Sequence, residues 1–332
     1  MKGGEAALSV LIIIFSLTAC VSGHVPEIKG GNEGIENAVY LDDPFKSWAF
    51  YGTFENPGSV SYYEFYLEKG ERLWFSVFTP KKDPVHPEAV LIGPGIESKG
   101  DISDKITVPE NYGYIVISGK KPDMPDYEPF TPSANYQWSE YEYFAELPGT
   151  HYIAMFNKGT GSGNYGLAIG YREEFLISEW VLIPVSIANI RIWEGNSPAF
   201  VFGFPIFIVF PGLLYLFRIK KETVPIKPET LTGITGALLY IAGSVFMLIQ
   251  AVIALFKTGF QASFGATAIF ILIPLILGLL ILKYYLKPEQ NPVKKEGIKL
   301  IFFGIIGLIV WSGYIIGPFL AIISGLMILY KT

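Results

Sequence analysis

Cysteine is almost absent from this sequence, since its 332 residues include only Cys20. A single cysteine excludes an intrachain disulfide. Histidine is also scarce, with three residues, and the chain lacks a Gly-x-Ser-x-Gly elbow, a His-Glu-x-x-His pair and the order of a phosphate loop. The sequence therefore offers little support for an enzyme, and we expect no cofactor.

Charge of each sign is depleted in a different part of the chain. Residues 21–197 contain 25 acidic and 13 basic side chains, a net charge of −12, whereas residues 198–332 contain 4 acidic and 11 basic ones, a net charge of +7. An acidic surface repels phosphate, so nucleic acid is excluded as a partner of the first part. Basic residues in short loops mark the cytoplasmic side of a membrane, so the asymmetry predicts topology.

Residues 1–23 have the pattern of a signal sequence, with Lys2 followed by an apolar run of ten residues. The segment 17–20, Leu-Thr-Ala-Cys, resembles the lipobox of prokaryotic lipoproteins. That resemblance implies lipidation of Cys20, which becomes the new N-terminus. The alternative is ordinary cleavage nearby, with Cys20 discarded.

A different cleavage site has chemical consequences. Cleavage after residue 23 would leave His24 at the N-terminus, where an amine and an imidazole can chelate copper. The candidate metal ligands are then His24, His86 and His151. Because no His-x-His pair exists, isolated surface histidines are the simpler interpretation.

Short apolar runs broken by Gly, Pro, Asn and Asp follow a flexible leader at residues 24–36. They predict an all-β sandwich over residues 37–172. The predicted strands cover residues 38–41, 48–54, 60–67, 73–78, 89–92, 112–118, 141–147, 151–156 and 165–171.

Two parts of this region resemble pre-peptidase C-terminal-type β-sandwich domains. One is Tyr63-Glu-Phe-Tyr-Leu-Glu-Lys-Gly-Glu-Arg-Leu73, and the other combines Leu147-Pro-Gly-Thr-His-Tyr-Ile-Ala154 with Gly163-Asn-Tyr-Gly-Leu-Ala-Ile169. The resemblance covers about a third of the domain and implies a jelly-roll-like sandwich that acts as a binding or accessory module. It carries over no catalytic residue, and a long insert at 101–143 departs from the group.

The insert combines aromatic and acidic side chains, which could stack on sugars or cations. The candidate ligand-binding residues are Tyr127, Glu128, Phe130, Tyr136 and Trp138. The alternative is a Pro-rich loop whose aromatic side chains extend the core. Glu140 and Glu142 fall on one face of a strand, which keeps a hydrolytic pair as a further alternative.

Residues 173–198 predict a collar between the sandwich and the membrane. Within it, residues 175–193 can form an interfacial helix with Trp180 and Trp193 near its ends. A membrane span is the alternative, but Glu179 and Arg191 would make it costly. A span here would invert the orientation of the whole domain.

The rest of the chain, residues 199–332, predicts a transmembrane region of about four helices. The predicted spans cover residues 199–217, 232–256, 265–286 and 300–330. The last is long for one span, so we expect it to tilt or to kink at Pro318. The alternative is two short spans that meet at Gly317-Pro318.

The spans hold no Asp, Glu, Arg or His in their middle, which favours an anchor over a coupled transporter. Small residues at Gly313, Gly317, Ala321 and Gly325 form a stripe that favours close helix packing and a homo-oligomer.

The fold class is thus a multi-domain membrane protein with an all-β ectodomain followed by a helical bundle. We expect a multi-pass protein of the cell membrane with residues 24–198 outside the cytoplasm. Its sandwich is expected to bind an envelope polymer or a membrane protein partner. The alternative is a transport or sensing component in which the sandwich is accessory, and a copper or hydrolytic enzyme is a third possibility.

Overall fold

The computed structural model describes residues 24–220, 227–287 and 294–331. The predicted signal sequence at 1–23, with Cys20, and the basic connections at 221–226 and 288–293 lie outside these residues. The chain divides into two compact units. The β unit is Met1–Glu128 with Ser133–Leu176, and the helical unit is Pro129–Pro132 with Ile177–Thr332.

Eleven strands form within the described part of the β unit. They are β1 Val25–Glu27, β2 Val39–Leu41, β3 Trp48–Phe54, β4 Val60–Leu67, β5 Arg72–Thr79, β6 Pro87–Gly93, β7 Gly113–Ser118, β8 Asp126–Glu128, β9 Ser133–Phe144, β10 Gly149–Asn157 and β11 Gly163–Ile169.

These strands form two sheets. One has the order β1-β3-β11-β5-β9-β8 and the other the order β2-β4-β10-β6-β7. Consecutive strands from β2 to β6 alternate between the two sheets, and so do β9, β10 and β11. The predicted all-β sandwich is confirmed.

The core of the β unit lies between the two sheets and follows from the alternation of apolar side chains along the strands. Leu73, Phe75 and Val77 of β5 point into it and are fully buried. From β4 and β11, the hydroxyls of Tyr63 and Tyr165 meet at 3.0 Å. Burial raises the pKa of Tyr165 to about 12, so this pair stays neutral in the core.

Two segments differ from the expected pattern of loops. The leader at 24–36 is not wholly flexible, because β1 pairs in parallel with β3 and Val25 is buried. Residues 101–112 of the insert pack over the outer face of the five-stranded sheet through Ile102, Ile106 and Val108. Strand pairing at the edge of the six-stranded sheet explains the first difference, and apolar side chains that cover the five-stranded sheet explain the second.

Six helices are described in the helical unit. They are α1 Ile177–Trp193, α2 Pro198–Lys220, α3 Pro228–Thr258, α4 Phe264–Leu286, α5 Lys294–Ile309 and α6 Ile316–Lys331. In the described residues, α2, α3 and α4 are long and apolar enough to cross a membrane. They coincide with the first three predicted spans. The interfacial position of α1 stays a prediction.

The expected single helix over 300–330 is wrong. The structure has α5 and α6 instead, separated at 310–315, where Trp311, Gly313, Tyr314 and Ile315 have left-handed φ angles of 50–64°. Pro318 does not cause the break, because it lies in the first turn of α6, where proline fits a helix. Consecutive left-handed residues cannot continue a right-handed helix.

The predicted stripe of small residues, Gly313, Gly317, Ala321 and Gly325, packs against other helices of the same chain. Gly317 approaches α3 so closely that an added Cβ would lie 3.1 Å from the carbonyl oxygen of Gly236, and Gly325 approaches α5 at Gly297. Ala321 is fully buried, and Gly313 belongs to the turn rather than to a helix. This corrects the expectation that the stripe is available to a second copy.

Candidate functional site

The predicted ligand-binding residues of the insert do not share one open surface. Tyr127 of β8 is 8% exposed and Trp138 of β9 is 4% exposed. The Trp138 indole N–H donates to the Thr79 hydroxyl at 2.8 Å, so its polar atom is satisfied in the core. Glu128 and Tyr136 are half-buried. A ligand role for these residues stays a prediction.

Phe130 has a separate environment, because residues 129–132 belong to the helical unit. Its ring lies 5.8 Å from Phe270 of α4 and 6.1 Å from Trp311. The Thr267 hydroxyl donates to the carbonyl oxygen of Pro129 at 2.6 Å. These contacts make Phe130 a packing residue of the helical unit.

The three histidines have three different environments. His24 bonds to the Ser47 hydroxyl, and the His86 ring lies against Trp138. His151 is fully buried between Phe65 and Tyr143, and its Nδ1 lies 2.9 Å from the Gly149 carbonyl oxygen. Burial lowers the pKa of His151, so the fold favours its neutral form. In the part of the chain that is described, no group of three or more His, Cys, Asp or Glu side chains could hold a metal ion.

The proposed hydrolytic pair is engaged on the surface of the six-stranded sheet. Glu140 accepts a hydrogen bond from the Trp74 indole at 2.7 Å, and Glu142 forms an ion pair with Arg72. These contacts engage both carboxylates, so the arrangement supports a surface role over general acid–base chemistry.

An aromatic and acidic surface does occur, on the outer face of the five-stranded sheet. Tyr40 of β2 and Tyr152 of β10 are each paired directly with Glu64 of β4, from opposite sides. Directly paired side chains lie about 5 Å apart at their Cβ atoms. Tyr66 follows Glu64 on the same face, and the Tyr112 ring lies 6.5 Å from that of Tyr152. We call these five residues the tyrosine surface.

The tyrosine surface is accessible and carries one carboxylate. Tyr40 is 60% exposed and Tyr66 is 47% exposed, while Glu64 and Tyr152 are half-buried. No cation of the described residues forms an ion pair with Glu64. Burial and, next, the Glu64 carboxylate raise the pKa of Tyr152, which is consistent with the direct pairing of the two residues.

Sequence reasoning missed this surface because its members come from distant segments. The alternation Tyr62-x-Glu64-x-Tyr66 does indicate a shared face of β4. It does not indicate which face points outward, nor that β2 and β10 flank β4. Both facts come from the order of strands in the sheet.

The fold defines a membrane-anchored protein with a two-sheet β unit and a helical unit that contains three helices able to cross a membrane. No family model and no curated protein sequence matches the chain.

Proposed function

We propose that the protein is a multi-pass protein of the cell membrane whose β unit binds a polysaccharide of the cell envelope. The helical unit is the anchor, and residues 24–198 lie outside the cytoplasm. The observation that carries the binding role is the tyrosine surface, where exposed Tyr40 and Tyr66 flank Glu64.

The chemistry of the tyrosine surface suits sugars. Aromatic rings offer large rigid areas that stack on the apolar faces of sugar rings, and their hydroxyls keep a polar edge. A carboxylate next to them accepts hydrogen bonds from sugar hydroxyls, and charge-assisted bonds of this kind are the strong ones. A row of side chains across paired strands also matches an extended polymer better than a small molecule.

The charge of the β unit limits the kind of polymer. Residues 24–176 contain 23 acidic and 12 basic side chains, a net charge of −11, so the unit repels anionic polymers at long range. The Glu64 carboxylate adds to this repulsion at the site. A neutral or amino-substituted polysaccharide therefore fits better than a uronic acid polymer.

The location is supported by the charge asymmetry along the chain. The net charge of +7 over residues 198–332 favours cytoplasmic placement of the short connections. The lipobox-like segment ending at Cys20 supports export, and we keep lipidation of Cys20 as part of this proposal. The resemblance to pre-peptidase C-terminal-type domains supports an accessory binding module.

Removing two rings of the tyrosine surface is expected to abolish most of the binding. In the full-length protein, Y40A/Y66A should weaken binding to neutral probes such as cellohexaose or mannohexaose by roughly 30-fold. Two stacking rings contribute about 2 kcal/mol together. Isothermal titration in detergent would measure this.

The matched control is F144A, which removes an exposed ring from the six-stranded sheet, where Phe144 is 57% exposed. This variant should bind as the unchanged protein does. Equal binding by Y40A/Y66A, or no binding of any neutral or amino sugar oligomer by the unchanged protein, would contradict the proposal.

A second candidate function, transport or sensing by the helical unit, is favoured by one specific observation. The break between α5 and α6 interrupts an apolar segment, and non-helical backbone at membrane depth persists only inside protein or beside a cavity. Such interruptions are typical of binding sites in transporters.

A further inference from the structure

The turn at 310–315 is the most strained part of the described helical unit. Four of its residues have left-handed φ angles, and one of them, Ile315, is β-branched, which makes a positive φ a genuine outlier. Strain of this kind persists only where the surroundings impose it, and it concentrates at functional sites.

The surroundings of this turn are well defined. The Ser312 hydroxyl donates to the Gly307 carbonyl oxygen at 3.0 Å. The Trp311 ring stacks on Phe270 at 5.5 Å and lies 4.3 Å from Trp180 of α1. Contacts with α1, α4 and the C-terminal end of α5 thus hold the turn in its strained conformation.

A cavity of about 90 Å³ lies against this turn, within the helical unit. Aromatic and aliphatic side chains form most of its wall, among them Phe246, Phe270 and Pro274. Trp311, Ser312 and Tyr314 line it from the turn, and Arg191 from α1. This is more than one water molecule needs, so the space admits a group of a few non-hydrogen atoms.

Two residues that line this cavity, Trp311 and Tyr314, carry polar atoms without a hydrogen-bond partner in the described part of the chain. The Trp311 indole nitrogen and the Tyr314 hydroxyl are buried, and neither has a hydrogen-bond partner among the described residues. Buried donors without a partner are unusual and call for an explanation such as a bound molecule. An indole N–H can only donate, so it needs an oxygen acceptor.

The charge of the wall favours a neutral molecule over an ion. Among the described residues that line the cavity, Arg191 is the one that carries a formal charge. It forms an ion pair with Glu194 at 2.7 Å. It also donates to the Pro132 carbonyl oxygen at 3.2 Å. The pair has no net charge, so an ion entering this largely apolar space would lose hydration without compensation.

We propose that this cavity binds the carbonyl group of an uncharged, membrane-soluble molecule. The Tyr314 hydroxyl and the Trp311 N–H donate to the carbonyl oxygen, and the aromatic wall holds the adjoining carbons. The carbonyl can belong to a small free ketone or to the ester of a neutral lipid. This site is independent of the tyrosine surface.

The test uses the full chain in detergent and follows its unfolding temperature as each probe is added, since a ligand of the folded state raises that temperature saturably. The neutral probes are 2-pentanone and monoolein, and the charged probes are butyrate and oleate. We expect a saturable rise with one neutral probe. The probe that saturates identifies the source of the carbonyl, either free or borne by a lipid.

Tyr314→Phe keeps the ring and removes the donor, so it should require at least a tenfold higher probe concentration. Tyr215→Phe, at a side chain that is 64% exposed on α2, should behave as the unchanged protein does. Ala188→Leu fills the cavity from α1 and should abolish the rise. Stabilisation by neither neutral probe, an unchanged response in Tyr314→Phe, or stronger binding of the charged probes would overturn the proposal.

Discussion

Replacing Gly325 by leucine is expected to destabilise the helical unit by about 3 kcal/mol or more, at the upper end of the cost of overpacking a core. A Cβ at this position would lie 2.6 Å from the Gly297 carbonyl oxygen and 3.0 Å from the Ile301 backbone nitrogen. Both are backbone atoms of α5, so no side chain can move aside. The two helices would have to separate.

The chain offers a matched control for this change. A Cβ at Gly203 of α2 meets nothing within 4 Å, so Gly203→Leu adds the same side chain to another apolar helix without a clash. We expect its unfolding temperature in detergent to equal or exceed that of the unchanged protein, since glycine weakens helices. Equal unfolding temperatures for the two leucine variants would show that α5 and α6 do not pack through these glycines.

Truncating Tyr165 to alanine is expected to destabilise the β unit by about 4 kcal/mol, the cost of removing a large buried ring. Tyr165 is 1% exposed and its ring stacks on Phe54 at 4.1 Å. A Cβ on Gly52 would lie 2.3 Å from the same ring, so the surrounding backbone is shaped around it. The loss can be measured as increased proteolysis of the β unit on heating.

Two further tyrosine variants serve as comparisons. One removes only the hydroxyl of the buried Tyr165, and the other removes a ring at an exposed position. Tyr165→Phe keeps the ring and loses the hydroxyl that bonds to Tyr63, which should cost about 1 kcal/mol. Tyr40→Ala removes an exposed ring and should stay within about 0.5 kcal/mol of the unchanged protein. If Tyr165→Ala were as mild as Tyr40→Ala, the assignment of core and surface tyrosines would be wrong.

Much of the β unit could be predicted because its strands combine aromatic and β-branched residues with clear turn signals. The prediction for 48–54 matches β3 and that for 60–67 matches β4. β1 and β8 were not predicted, because Val25–Glu27 lies in a Gly-rich polar leader and Asp126–Glu128 in a Pro-rich part of the insert, without a clear apolar run. β1 forms by pairing with β3, and β8 forms by pairing with β9. The sequence pattern does not show either pairing.

In the helical unit, hydropathy predicts the positions of apolar helices but not the break between α5 and α6. Composition located α2, α3 and α4, but the segment 300–330 is apolar on both sides of the turn, so nothing in its hydropathy marks a break. Gly313 alone does not predict a turn of this length. Trp311, Tyr314 and Ile315 also have positive φ angles, which these residue types rarely adopt. The break is imposed by packing against other helices.

The sequence predicted the types of side chain in the candidate site but not its location. Aromatic rings beside a carboxylate were expected in the insert, yet Tyr127 and Trp138 are buried there. The tyrosine surface has the same chemistry and assembles from β2, β4 and β10. Only the order of strands brings Tyr40 and Tyr152 to either side of Glu64.

The orientation of the β unit tests the central claim most directly, because an envelope polysaccharide is accessible only from outside the cytoplasm. Intact cells that express Tyr40→Cys or Lys287→Cys can be treated with a membrane-impermeant maleimide, with the unchanged protein as background for Cys20. We predict labelling of Tyr40→Cys on intact cells and of Lys287→Cys only after permeabilisation. The reverse pattern would place the β unit in the cytoplasm and contradict the account.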